Sequence, residues 1–308
     1  MRRRPAWLGA LVALVVVFAV FAALAPDTFL RSQNVVTMLR QTVVVAICAL
    51  GMTMVIVTGG IDLSTGSLVA LTTVIVARML KDGASPATAI LVALAAAAAV
   101  GAAIGALVGR VRMMPFIVTL GAMSALRGAA KGVADEQKID CDARGLDRLL
   151  EADLSAPGIW VAVALAAAVA GALTYTRFGR HVFAVGSNER AARLCGIDPG
   201  RIKIAVYTLS SLLAGVAGIM EFSTLTVGDP TDSIGLELDV IAAVVIGGAP
   251  LAGGSGSVVG SMLGALLMTV IRTGGVHMGL PSWFQEIVTG AIIVLAAVLD
   301  RLRQGRRR

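Results

Sequence analysis

The 308-residue chain is 57% hydrophobic and 15% charged, with a formal net charge of +7. Soluble domains carry about a quarter charged residues, so a water-facing globule is excluded. A nucleic-acid surface is excluded as well, because the basic residues flank apolar runs instead of interleaving with exposed aromatics.

In chain order, Met1–Arg4 and the apolar run behind them have the outline of a signal peptide, and Ala23-Leu24-Ala25 imitates a cleavage site. The apolar core exceeds the usual ~7–15 residues and Pro26 would open the mature chain, so an uncleaved first span is expected. Runs of roughly 18 apolar residues suffice to cross a bilayer as a helix. Reading apolar blocks against breakers predicts about ten transmembrane helices, at 7–25, 35–58, 65–80, 86–108, 116–132, 159–175, 204–225, 238–253, 257–274 and 283–299. Pro26, Pro86, Pro115, Pro157, Pro230 and Pro281 fall between blocks or at first turns, where proline is tolerated. The fold class is all-α integral membrane, a single transmembrane domain over 1–308. Alternating β-barrel segments are absent from the pattern.

Charge orients the spans. With the amino terminus inside, the larger share of the 26 Lys and Arg is cytoplasmic: Arg2–Arg4, Arg110, Arg112, the cluster from Arg177 to Lys203, and the tail from Arg301. The positive-inside rule therefore predicts that both termini are cytoplasmic. Trp7, Trp160, Tyr175, Tyr207 and Trp283 are expected at the headgroup level.

Residues 57–67 read VTGGIDLSTGS and break the pattern between two spans. The stretch has an echo: VIVTGGIDL at 55–63 and AVVIGGAPL at 243–251 each place Gly-Gly after an apolar run, with Gly-Ser shortly beyond. Unwound backbone at depth is tolerated where it lines a cavity, and paired Gly-interrupted spans point to a transport pathway. Candidate pathway residues are Gly59, Gly60, Asp62, Ser64, Thr65, Ser67, Gly247, Gly248 and Ser257. Close helix packing is the competing role for the glycines, and a helix cap that for Asp62.

The segment 133–157 is the one sizeable external connection. Its DEQKIDCDARGLDRLLEADL is either a solvated face or a contact surface for an external protein. On the inner side, 177–203 reads RFGRHVFAVGSNERAARLCGIDPGRIK. Asn188 is a helix cap, Glu189 suits the first turn, Arg193 the last, Gly196 the stop, and Pro199 bars continuation. The helix of about two turns so defined is too short to stand alone in water. It is either a docking element for a cytoplasmic partner or an ordinary structured loop.

Catalytic residues are not found. His181 and His277 fall in loops on opposite sides, and Cys48, Cys141 and Cys195 have no metal-ligand spacing. GGSGS at 253–257 lacks the Gly-Lys-Ser/Thr ending that cradles a nucleotide phosphate. The chain is thus expected to be no enzyme, to bind no metal or cofactor itself, and to draw energy from a partner or an ion gradient.

Four stretches carry a resemblance: GGIDLSTGSLVAL (59–71), MPFIVTLGAMSALRG (114–128), TRFGRHVFAVGSNERAARLCGI (176–197) and LDVIAAVVIGGAPLAGGSGSVVGSMLGA (238–265). In this order they resemble the ribose/xylose-type permeases of ABC sugar importers, over about 35–303. The resemblance implies a type II-like importer permease fold in a prokaryotic inner membrane. It implies alternating access for a pentose or hexose, driven by ATP that cytoplasmic ATPase subunits consume. It further implies an extracytoplasmic sugar-binding protein and a second permease chain, the same or a sister. ATPase coupling falls by resemblance on Phe178, Gly179, Asn188, Glu189, Ala191, Arg193 and Gly196. The charged 131–157 departs from that family's Gly-rich connection. Permeases for branched-chain amino acids or nucleosides, and a stand-alone ion-coupled carrier using Asp62, are the rival readings.

Overall fold

The computed structural model describes residues 7–151, 153 and 155–305. Arg2–Arg4 and Arg306–Arg308, used above for orientation, lie outside the described residues. Thirteen α-helices are described: α1 Leu8–Leu24, α2 Pro26–Phe29, α3 Ser32–Val57, α4 Thr65–Lys81, α5 Pro86–Gly109, α6 Pro115–Val133, α7 Pro157–Tyr175, α8 Arg177–Ser187, α9 Glu189–Leu194, α10 Pro199–Leu225, α11 Leu236–Ile246, α12 Val258–His277 and α13 Ser282–Gly305. The chain is an all-α membrane protein. Each predicted block falls on a helix, and five helices (α3, α5, α7, α10 and α12) are both long and apolar enough to cross a membrane.

Helices α3, α4, α11 and α12 form the buried centre, joined by α10. Outside them α1, α5, α6, α7 and α13 expose Val12, Leu91, Phe116, Val163 and Leu295. In water such a jacket would drive aggregation, whereas hydrocarbon solvates it. Trp160, Tyr175 and Trp283 are exposed near helix ends, as predicted. Tyr207 is a correction. Helix α10 starts at Pro199, earlier than the block at 204 predicted, so Tyr207 lies inside it and is fully buried, with its hydroxyl over Gly60.

Glycine sets the closest contacts. Along α5, Gly101, Gly105 and Gly109 recur every four residues on one stripe facing α10. A methyl group there would sit 2.6 Å from the Tyr207 carbonyl oxygen, 2.7 Å from Ile204 Cα and 2.6 Å from the Gly200 carbonyl oxygen. Helices α11 and α12 repeat this with Gly247 on Gly260 and Gly264 on Ala243. Small residues bring backbones together where no hydrophobic force between helices is available in lipid.

The connections gather at two faces. One face carries α8 and α9 (the α9 face). At the other, β1 (Ile139–Asp140) pairs antiparallel with β2 (Val227–Gly228), which defines the β face. The segment 133–151, expected to be external, is anchored there rather than loose. Lys138 Nζ lies 2.9 Å from Asp229, Arg144 donates to the Gly83 and Ala84 carbonyls, and Leu150 N–H donates to Ser223 Oγ. Burial alone would raise the Asp229 pKa, but hydrogen bonds from Thr231 and Lys138 outweigh it and hold the carboxyl below its ordinary value. The hydrogen bond to Asp229 raises the Lys138 pKa in turn. A depressed carboxylate stabilises above its ordinary pKa and a raised ammonium below its own. The pair therefore stays charged across neutral pH and loosens only below about pH 3.8 or above about 10.5.

The α5 stripe gives a first prediction. Gly105→Ala forces α5 off α10 and costs about 1–3 kcal/mol, read as a lower melting temperature in detergent. Gly171→Ala, with nothing within 4 Å of the added methyl, leaves that temperature unchanged or raises it.

Candidate functional site

The end of α3 and the segment that follows α11 meet in space at the α9 face. Helix α3 ends at Val57, where Gly59 takes φ +79°; α11 ends at Ile246, where Gly248 takes φ +97°. These left-handed conformations suit glycine and terminate helices, which is why the predicted block 238–253 stops being helical after Ile246. The Val57 carbonyl accepts from Gly254 N–H at 2.9 Å, and a methyl on Gly253 would lie within 3.0 Å of Gly59. Beside them Thr53 Oγ1 donates to Ser261 Oγ at 2.7 Å. The break after Val57 and residues 252–254, just beyond the second break, form one packed junction at this end of the bundle.

Asp62 closes a turn. Its Oδ1 accepts from Ser64 N–H at 2.9 Å and from the Ser64 hydroxyl at 2.6 Å, leading the chain into α4. Ser64, Thr65 and Ser67 are buried behind it, and Thr119 Oγ1 donates to the Ile61 carbonyl. Ser257 caps α12 through Gly260 N–H and borders a cavity of about 560 Å³ with Thr174, Arg180 and Phe183. The predicted pathway residues thus lie at the turn into α4, at the end of α11 and at the start of α12.

Above the junction a polar cavity of about 440 Å³ lies on the β-face side, bounded by α3, α10, α11, α12 and α13. Its floor is apolar, with Val44, Val45, Leu236 and Met268; its walls bring Gln41, Glu221, Asp232, Asp239, Arg272 and His277 together. Helix α11 spans about 17 Å against about 39 Å for α3. Its first residue is sunk beside Gly66 at the start of α4. Two helix amino termini therefore meet near mid-depth, and Glu237 and Asp239 in the first turn of α11 complement its dipole. Asp239 is 2% exposed and its Oδ2 accepts from Arg272 Nη2 at 2.7 Å. His277 Nε2 and Asn34 Oδ1 are 2.8 Å apart at the rim. The segment 229–236 descends into this wall, held by Arg127 donating to the Pro230 and Asp232 carbonyls.

Asp239 is not among the candidates named from the sequence. The available signal was an acid inside the apolar block at 238–253, since a charge within a span marks a functional position by default. What hid it was the sunken start of α11, which turns an apparent end position into a mid-depth one.

At the α9 face, Thr176 caps α8 through Gly179 N–H, and Phe178 and Val182 pack into the core. Gly179 lies against the Leu173 backbone and Gly186 against the Val57 carbonyl, seating α8 on α7 and on the end of α3. This longer helix was not anticipated. Helix α9 follows as predicted: Asn188 Oδ1 accepts from Ala191 N–H at 2.9 Å, and Gly196 takes φ +81° after the last turn. Glu189 bridges Arg193 at 3.1 Å and Lys203 at 2.7 Å. Leu194 is 91% exposed. Phe178 and Gly179 act as anchors, while Ala191 and Arg193 face outward beside Leu194. Asn188→Ala removes the cap and frays 189–194 by about 1 kcal/mol, seen as faster hydrogen exchange there with α8 unchanged.

Comparison with known proteins agrees with this architecture. Residues 34–297 match the family model described as branched-chain amino acid transport system / permease component. The ribose import permease protein RbsC of Escherichia coli is 40% identical, with 97% of this chain and 96% of that protein covered. The L-arabinose ABC transporter permease protein AraH of Azospirillum brasilense is 33% identical over 97% of this chain and 89% of its own length. The galactose/methyl galactoside import permease protein MglC of Haemophilus influenzae is 32% identical over 96% and 94%. No solved structure matches. The chain belongs to the branched-chain amino acid transport system / permease component family.

Proposed function

We propose that this chain is the permease subunit of an ABC importer that moves a monosaccharide, pentose or hexose, into the cell by alternating access. The observation that carries the reading is the polar cavity on the β-face side, closed below by the Gly-Gly junction, in a chain similar throughout to sugar import permeases. Ten spans with both termini cytoplasmic put the α9 face inside and the cavity outside, in the inner membrane of a prokaryote. ATP is consumed by separate cytoplasmic ATPase subunits, and this chain has no ATPase site of its own. An external sugar-binding protein delivers the cargo, and two permease chains form the channel.

The geometry supports a route for coupling. Helix α9 is too short to persist alone and presents Leu194 to a partner. A push on α9 passes through Glu189 to Lys203 at the root of α10, and through α8 to the Val57 carbonyl. That carbonyl is part of the lower closure, so ATPase motion reaches the gate by direct contact. The fixed charges of the cavity favour a second reading, an amino acid zwitterion as cargo, which the family description also names. Arg272 meets Asp239 through Nη2 and is half exposed, so its other N–H groups would be the ones to receive a substrate carboxylate.

The test is uptake of labelled ribose, arabinose, galactose and leucine into cells expressing the chain with its ATPase and binding protein. Sugar uptake needs all three components. It falls at least tenfold (about 1.4 kcal/mol) in Leu194→Asp and in Glu189→Ala/Arg193→Ala, with membrane insertion intact. Uptake driven by an ion gradient without the ATPase, and lost in Asp62→Asn, would overturn the reading in favour of a carrier. Leucine uptake alone would replace the cargo.

A further inference from the structure

Resting on the importer reading, we infer that the permease itself selects its cargo, through a hydroxyl-binding subsite around Asp239 and Glu221 that admits neutral polyols and turns away anions such as sugar phosphates. The charge on Asp239 is only half engaged. Oδ2 meets Arg272, whereas Oδ1 is buried with no hydrogen-bond partner among the described residues. A buried carboxylate oxygen without a donor is costly, and such an atom in a cavity wall is satisfied by whatever donor enters. Glu221, across the cavity on α10, also receives no hydrogen bond among the described residues. Glu221 thus lines a space within the ~300–1,000 Å³ typical of small-molecule sites, and Asp239 Oδ1 lies buried in its wall. A polyol brings the hydroxyl donors they lack, and Gln41 adds an amide at the same level.

The sign of the cavity decides what is excluded. Glu221, Asp232 and Asp239 face it with Arg272 as their opposing full charge; His277 stands at the rim against Asn34. The balance is negative, and low-dielectric walls concentrate that field. The positive charge of Arg272, the group that would attract a phosphate or carboxylate, is already offset by Asp239. Recognition by the external binding protein is therefore followed by a second sieve inside the membrane. The sieve rejects a charged analogue even when that protein delivers it.

The experiment needs only this chain in membranes, so its failure is separate from a failure of the importer reading, which shows in uptake. Thr269→Cys, deep in the cavity, is made on a background of Cys48→Ala, Cys141→Ala and Cys195→Ala. It is then labelled with cationic and anionic methanethiosulfonates of equal size. The cationic reagent reacts faster by about tenfold, and Asp239→Asn and Glu221→Gln each cut that preference by about threefold. Glu221→Gln leaves the Asp239–Arg272 pair untouched, so it carries the test even where Asp239→Asn fails to insert. Millimolar D-ribose slows the labelling; D-ribose 5-phosphate and L-leucine do not. Equal rates for the two reagents, a preference unchanged in Glu221→Gln, or protection by the phosphate ester or by leucine without ribose would overturn the proposal.

Discussion

Inside a bilayer, a backbone N–H or C=O that leaves a helix has to find its partner within the protein. Two breaks in this chain, after Val57 and after Ile246, create such groups, and much of the architecture answers them. Each break settles part of the other, as when Gly254 N–H donates to the Val57 carbonyl. Side chains add to this: Thr119 donates to the Ile61 carbonyl in the first break, Ser64 to the Asp62 carboxylate, and Thr53 to Ser261 Oγ. The polar residues beside the two breaks are therefore tied into local hydrogen bonds, and a cavity opens on the β-face side of them.

These breaks and their partners show what the sequence made legible. Spans, short inner helix and glycine breaks all follow from local rules: apolar length, capping chemistry at Asn188 and Gly196, and left-handed geometry at Gly59 and Gly248. The meeting of the first break with residues just beyond the second was foreshadowed by the similarity of the two. The depth of α11 was not, because nothing local tells a helix that starts at the headgroups from one that starts beside Gly66. Asp239 was missed for that reason, and Tyr207 was misplaced by an analogous error, since five extra residues before the apolar block carried it inward. Asp62 followed its local chemistry, as the acceptor in the turn that starts α4.

The same reasoning bears on energy coupling. A relay carboxylate needs freedom to change partners, whereas Asp62 is bound by two donors from its own turn. The acids without full hydrogen bonding are on the other side of the closure, facing the cavity. On the β face, the strap 133–151 has a packed inner edge as well as a charged outer one. A segment fixed by β1, Arg144 and Leu150 presents its acidic surface in a fixed orientation, which a protein partner can read and a floppy loop would not offer.

The glycine stripe of α5 has a mechanical corollary. Three backbone-to-backbone seats, one turn apart, leave no side-chain layer to shear between α5 and α10, and a slip of less than a full turn would drive carbonyl oxygens into α-carbons. The two helices are one beam with a single register. Freedom to rearrange then belongs to the joints at its ends, where α9 meets Lys203 on one side and the strap meets Ser223 on the other. A beam loaded at one end and latched at the other transmits displacement without absorbing it.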